Sequence, residues 1–133
     1  MRNLVLVALL VAVWPLSGGK TYHFTADRSV PGANGTVTVK VDKNNQNAEF
    51  EVRVKSLARP TDLTPPENVY VVWVRSRSGT IEKAGAIHVS KDLTGELRAT
   101  TTAKNFDIFI TAEQSDSVTE PSELELLQAH VDI

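Results

Sequence analysis

Three histidines, His23, His88 and His130, come first for chemistry, because neutral imidazole serves both as metal ligand and as general base. They are scattered along the chain. A metal site needs three or four ligands converging in space. No histidine pair has the i,i+2 or i,i+4 spacing that would put two rings on one strand or helix face. His23 and His88 fall at outward positions of predicted strands, so the spacing gives surface histidines and no metal site. There is no cysteine, and the one methionine is Met1, which argues against soft-ligand copper. The run Asp42-Lys43-Asn44-Asn45-Gln46-Asn47 carries oxygen side chains like the start of a calcium loop. An EF-hand wants Gly at the sixth place and Glu at the twelfth, and those places hold Asn47 and Arg53. A hairpin turn explains the run better. Ser76-Arg77-Ser78-Gly79 is a turn and not a G-x-S-x-G nucleophile elbow. Paired carboxylates could hydrolyse a glycoside, but the acidic residues fall mainly on outward strand faces. Glu113, Asp116, Glu120, Glu123 and Glu125 crowd one stretch and read as a solvated loop and edge strand. No catalytic, cofactor or metal residue is assigned.

Two aromatics remain. Tyr70 and Trp73 stand three apart in VYVVWVR (69–75). On a strand that spacing points them to opposite faces. One is then a core residue whose polar tip finds a partner. The other lies on the outer face, under a loop or open to a ligand. Tyr70 and Trp73 are therefore the candidate ligand or partner contacts, with burial of both as the competing reading.

The elements that must position these residues are strands. TYHFTA (21–26) is a short first strand. GTVTVKVD alternates strictly, with Val37, Val39 and Val41 on one face and Thr36, Thr38, Lys40 and Asp42 on the other. AEFEVRVKS repeats the pattern, with Phe50, Val52 and Val54 inward and Glu49, Glu51, Arg53 and Lys55 outward. Two period-2 runs around a polar turn predict an antiparallel hairpin. The proline-rich stretch 57–68 suits a crossing from one sheet to another. VYVVWVR is apolar on both faces, and so is NFDIFITAE, with Phe106, Ile108 and Ile110 opposite Phe109 and Thr111. Both should lie mid-sheet as neighbours, the outer face shielded by the proline-rich loop, the N-terminal segment or a partner. IEKAGAIHVS is the next strand, with Gly85 predicting a bulge or a close backbone approach. ELRATTT alternates again, and LELLQAHV has ambiguous phase, with a short helix as one option. About seven or eight short strands, regular turns and no amphipathic helix predict an all-β, antiparallel β-sandwich.

The chain's beginning has the marks of a signal for export. Arg2 precedes the apolar run Leu4–Leu16, and Ser17, Gly18 and Gly19 follow as small residues. The run is too short to span a bilayer and ends near Pro15. Residues 1–19 are thus predicted to be a signal peptide and 20–133 a single domain. No later run is apolar enough to span, which predicts no stable membrane insertion after cleavage. The formal charge is −2, and removing Arg2 lowers it by one to −3. Neither sign forms the basic stripe of a nucleic-acid footprint. An exported domain with no disulfide suits a periplasmic or secreted bacterial protein.

The order of these residues resembles a known family. Tyr70-Val71-Val72-Trp73 is similar to the Y-x-x-W strand in the extracytoplasmic C-terminal domain of anti-sigma-K-type anti-sigma factors. In that domain a Gly turn, a Gly-containing strand, an aromatic strand ending in T-x-E and a proline follow. Here Gly79, Gly85, Phe106, Phe109, Thr111, Glu113 and Pro121 stand in that order. The resemblance covers residues 69–131. It implies an immunoglobulin-like sandwich outside the cytoplasm, and a sensing or partner-binding role. The family's cytoplasmic sigma-binding segment and spanning helix have no counterpart in residues 1–133, so sigma inhibition is not implied. The expected function is a non-enzymatic exported module that binds a protein or envelope partner through a sheet edge or loop end. A small hydrolase and a structural envelope subunit are the alternatives.

Overall fold

A computed structural model describes residues 19–133. The predicted signal segment lies outside the described residues, apart from Gly19. No helix among the described residues is long and apolar enough to cross a membrane.

Among the described residues nine strands form two antiparallel sheets. They are β1 (Lys20–His23), β2 (Thr25–Ala26), β3 (Asn34–Val41), β4 (Ala48–Lys55), β5 (Val69–Ser76), β6 (Ile81–Ile87), β7 (Gly95–Thr101), β8 (Asn105–Glu113) and β9 (Leu127–Asp132). The four-stranded sheet runs β1-β3-β4-β7, and the five-stranded sheet runs β2-β9-β8-β5-β6. The sandwich predicted from strand periodicity is therefore the fold. The count reaches nine because the expected first strand divides. β1 pairs with β3, and β2 pairs with β9 in the other sheet. Buried Phe24 sits at the switch, its backbone N–H bonded to the Gly35 carbonyl. Alternation within TYHFTA gives no hint of that change of sheet.

The predicted hairpin holds in register, with Val37 opposite Val52 and Val39 opposite Phe50. Phe50, Val52 and Val54 fill the inter-sheet core, and Phe50 packs on Phe106 with ring centroids 6.3 Å apart. Val41 departs from expectation. It lies at the strand's end and is exposed, although its cross-strand partner Ala48 is buried in the core. The stretch 57–68 crosses between sheets, as its prolines predict. β5 and β8 are neighbours along their full length, from Val69 opposite Glu113 to Ser76 opposite Phe106. The β5–β6 register slips after Val72, leaving Ala84 as the extra residue beside Gly85, a bulge where one was expected. Within the stretch 124–131 the strand begins only at Leu127. Leu127, Ala129 and Val131 point inward, while Leu126 belongs to the preceding loop and had blurred the phase.

The sandwich closes along both sides. Tyr22 Oη donates to the Asp132 carbonyl at 2.7 Å, tying β1 to β9. On the other side β6 and β7 meet so closely that a Cβ at Gly95 would stand 2.5 Å from Ile87 Cγ2. Only glycine permits that approach.

Candidate functional site

The outer face of the five-stranded sheet answers what covers a strand that is apolar on both sides. Tyr70 points into the inter-sheet core and Trp73 points outward, as their spacing requires. Trp73 joins Val69, Val71 and Phe109 in a second apolar cluster, flanked by Ala86 and Val118. Val118 belongs to the β8–β9 loop, so that loop is the cover. Among the described residues the proline-rich loop, expected as an alternative, contributes nothing to this cluster; the N-terminal segment, also expected, lies outside the described residues apart from Gly19.

A polar chain pins the cover down. Trp73 Nε1 donates to Thr111 Oγ1 at 2.9 Å, and Thr111 Oγ1 donates to Glu113 Oε2 at 2.5 Å. The backbone N–H of Ser122 donates to Glu113 Oε2 at 2.8 Å, and its hydroxyl donates to Oε1 at 2.7 Å. Lys83 Nζ donates to the carbonyls of Asp116 and Val118 at 2.7 and 2.9 Å. Glu113 is only 5% exposed, and its three hydrogen bonds replace the water it loses. The T-x-E segment is thus a structural clasp, with Thr111 and Glu113 on the same face as Phe109.

Below the clasp runs a charged row. Arg75, Asp107 and His130 stand opposite one another on β5, β8 and β9. Arg75 contacts Glu125 with both terminal nitrogens, at 2.8 and 3.3 Å, and Asp107 at 3.2 Å. Its guanidinium lies 4.6 Å from the Phe109 ring centroid, a cation–π contact. His130 Nδ1 stands 2.8 Å from Asp107 Oδ1. Burial alone would raise the Asp107 pKa. The hydrogen bonds from His130 and Arg75, and both positive charges, outweigh it and hold the carboxyl below its ordinary value. The hydrogen bond to Glu125 leads in raising the Arg75 pKa.

The third feature is a cleft of about 660 Å³ at one end of the sandwich. The proline-rich loop supplies Ala58, Asp62, Leu63, Thr64, Pro65 and Glu67. The β8–β9 segment supplies Ala112, Ser122, Glu123, Leu124 and Leu126, and Ser29 completes the rim. The walls are tied. Tyr70 Oη, rising from the core, donates to the Ala58 carbonyl at 2.5 Å. Burial, then the charge of Asp62, push the Tyr70 pKa up to about 12, so the hydroxyl stays a donor. Asn68 Nδ2 donates to the Gln114 carbonyl at 2.9 Å, and Gln114 Nε2 donates to Glu67. The Leu126 backbone bonds to Asp27 and Ile110.

The sequence-predicted residues fall as follows. Tyr70 and Trp73 are 0% and 1% exposed, so neither offers a face to a ligand as folded. Each is a support, Tyr70 beneath the cleft and Trp73 beneath the loop. His23, His88 and His130 are exposed and lie on β1, after β6 and on β9, so they do not converge. Among the described residues no group of three or more His, Cys, Asp or Glu could hold a metal ion. The Asp42–Asn47 run is the β3–β4 turn. Asp42 and Asn45 spend side-chain oxygens on the backbone N–H groups of Asn44 and Asn47, and Gln46 takes the left-handed conformation. The Ser76 and Ser78 hydroxyls bond to each other within the β5–β6 turn.

The acidic stretch is solvated at Asp116, Glu120 and Glu123, as expected, with Glu123 on the cleft's rim. It departs from that reading at Glu113, the buried clasp, and at half-buried Glu125, which holds Arg75. Glu51, outward by parity, is also buried, since Arg53 and Arg98 cover it at 3.2 Å each. The cleft residues Asp62, Leu63, Glu67, Ser122, Glu123 and Leu124 were missed. One signal was available: Leu63 stands in a proline-bearing polar stretch with no strand pattern to bury it. No protein-family model matches the chain, and no curated protein matches it.

Proposed function

We propose that this is an exported bacterial β-sandwich module, not an enzyme, that binds a protein or cell-envelope partner through the loop-end cleft. The observation that carries the reading is the cleft itself. It has the size of a ligand site, a mostly apolar lining and a few polar groups at its rim. Its walls are held by hydrogen bonds, which lowers the ordering cost of binding. Export rests on the charged, then apolar, then small-residue pattern of residues 1–19. The resemblance to an extracytoplasmic anti-sigma domain is a further support for a sensing or partner-binding role.

The test has two parts. The mass of the protein recovered from its host's envelope or medium should correspond to a chain starting at Lys20. Immobilised protein should then retain an envelope component that is lost with Leu63→Glu at the cleft and kept with Lys40→Glu on the far sheet. Equal retention by both variants would move the binding elsewhere.

A hydrolase is the second reading, and the Asp107–His130 pair favours it. An imidazole oriented by a carboxylate through Nδ1 is half of a nucleophilic triad. Among the described residues no hydroxyl is hydrogen-bonded to that ring, so a nucleophile would have to come from the substrate or water. Turnover of a generic ester that disappears with His130→Ala would establish this reading in place of the first.

A further inference from the structure

We infer, resting on the cleft reading above, that the ligand is a segment of a partner protein presenting lysine or arginine beside an aliphatic side chain. The cleft's lining contains Asp62, Glu67 and Glu123 and no lysine, arginine or histidine. An acidic segment would be repelled at close range. A purely apolar one would strip water from three carboxylates and return no counter-charge. A cationic group meets both demands.

The remainder of the lining decides against a bare cation. Ala58, Leu63, Pro65, Ala112, Leu124 and Leu126 present apolar surface. Leu124 is 51% exposed, among the most exposed large apolar side chains of the described residues. It stands one residue from Glu123, so an acidic and an apolar contact lie side by side on one wall. A polyamine would satisfy the carboxylates and leave that apolar surface wet. A side chain with an aliphatic stem, or a leucine next to a lysine, covers both. The two walls are separately anchored, one through Tyr70 beneath Ala58 and the other through Glu113 at Ser122. The acidic and apolar groups are thus held in place before any ligand arrives.

The experiment uses the protein as its host processes it, isotope-labelled, with four probes. These are a short peptide alternating lysine with leucine, its glutamate–leucine counterpart, its lysine–serine counterpart, and spermine. The lysine–leucine peptide should shift amide signals of Leu63, Ser122 and Leu124 and leave the β3–β4 turn unmoved. Its affinity should fall about tenfold in Asp62→Asn/Glu123→Gln, two rim charges at the favourable end of their usual worth. Unchanged strand signals in that variant show that it folds. Equal binding of the glutamate–leucine peptide at the same amides overturns the charge assignment and leaves the cleft reading standing. Equal binding of the lysine–serine peptide or of spermine overturns the aliphatic half. No shift at the cleft with any probe overturns this inference and counts against the cleft reading together with it.

Discussion

The two outer faces of this sandwich solve opposite problems. On the four-stranded sheet the outward residues are Thr36, Thr38 and Lys40, then Glu49, Glu51 and Arg53, then Glu96, Arg98 and Thr100. All but the buried Glu51 meet water, and the pairs Glu51–Arg53, Glu51–Arg98 and Arg53–Glu96 cross or follow the strands at 3.2 to 3.6 Å. On the five-stranded sheet the outward residues are Val69, Val71, Trp73 and Phe109, which must be hidden. There the chain spends a loop as a lid and buries a carboxylate to hold it. A polar face is self-sufficient, whereas an apolar second face obliges the fold to build a third layer. That layer also forms one wall of the cleft, so the same obligation creates the candidate site.

The contrast breaks most sharply at Trp73. Trp73→Ala removes the largest side chain under the lid and leaves a hole between sheet and loop. It should cost about 3–5 kcal/mol of unfolding free energy, the range for large aromatics cut to alanine in cores. Thr38→Ala, at an outward position of the other sheet, should change stability by less than about 0.5 kcal/mol. Chemical denaturation of both variants measures the difference. Equal effects would mean that the lid is not packed as a core.

Glu113→Ala is next. It leaves the Ser122 amide and hydroxyl and the Thr111 hydroxyl without their acceptor. The expected loss is about 1–3 kcal/mol, with faster proteolysis between 114 and 122 and a red shift of Trp73 emission. Glu113→Gln keeps an acceptor and should lose less. An unchanged cleavage rate in Glu113→Ala would show that Lys83 alone holds the loop.

These differences also mark what could be read from sequence. The β3–β4 register and the β5–β8 adjacency were legible, because a period of two leaves a strand few ways to bury its apolar face. Tyr70 and Trp73 could be assigned to opposite faces for the same reason. The lid could not be foreseen from TAEQSDSVTEPSELE, whose composition matches a wet loop. Its fold depends on one buried acid, and hydrophobic patterning is blind to which acid that is. One clue was present. Glu113 keeps the parity of Phe109 and Thr111, so it had to share the apolar face. Glu51 was unreadable for a different reason: its burial is made by Arg98 on a strand distant in sequence. The cleft was unreadable because two loops with no periodicity of their own build it.

On the charged face Glu51→Ala should cost only about 1 kcal/mol, although Glu51 is 4% exposed. Both guanidinium partners are near 40% exposed and can rehydrate when the carboxylate goes. The wild-type advantage should shrink as salt is added. A loss as large as that of Glu113→Ala, insensitive to salt, would mean that the two faces are held by the same kind of interior interaction.

The smallest effect concerns the row that borders the lid. Asp107 is held below its ordinary pKa by His130 and Arg75 against the opposing effect of burial. A carboxylate depressed in the folded state stabilises fully above its unfolded value, near ~3.9, and that contribution is lost as pH falls through the folded value. The stability gap between wild type and Asp107→Asn should therefore close as pH falls below about 4. The gap itself should be about 0.5 kcal/mol, since Asp107 and Arg75 are both more than a quarter exposed. Denaturant midpoints across the acid range measure it. Glu125→Gln, which removes the other carboxylate on Arg75, serves as the companion variant. If the Asp107→Asn gap persists unchanged into acid, the row acts by packing against Phe109 rather than by charge. The outer face of the five-stranded sheet would then be apolar in its energetics even where its residues are ionised.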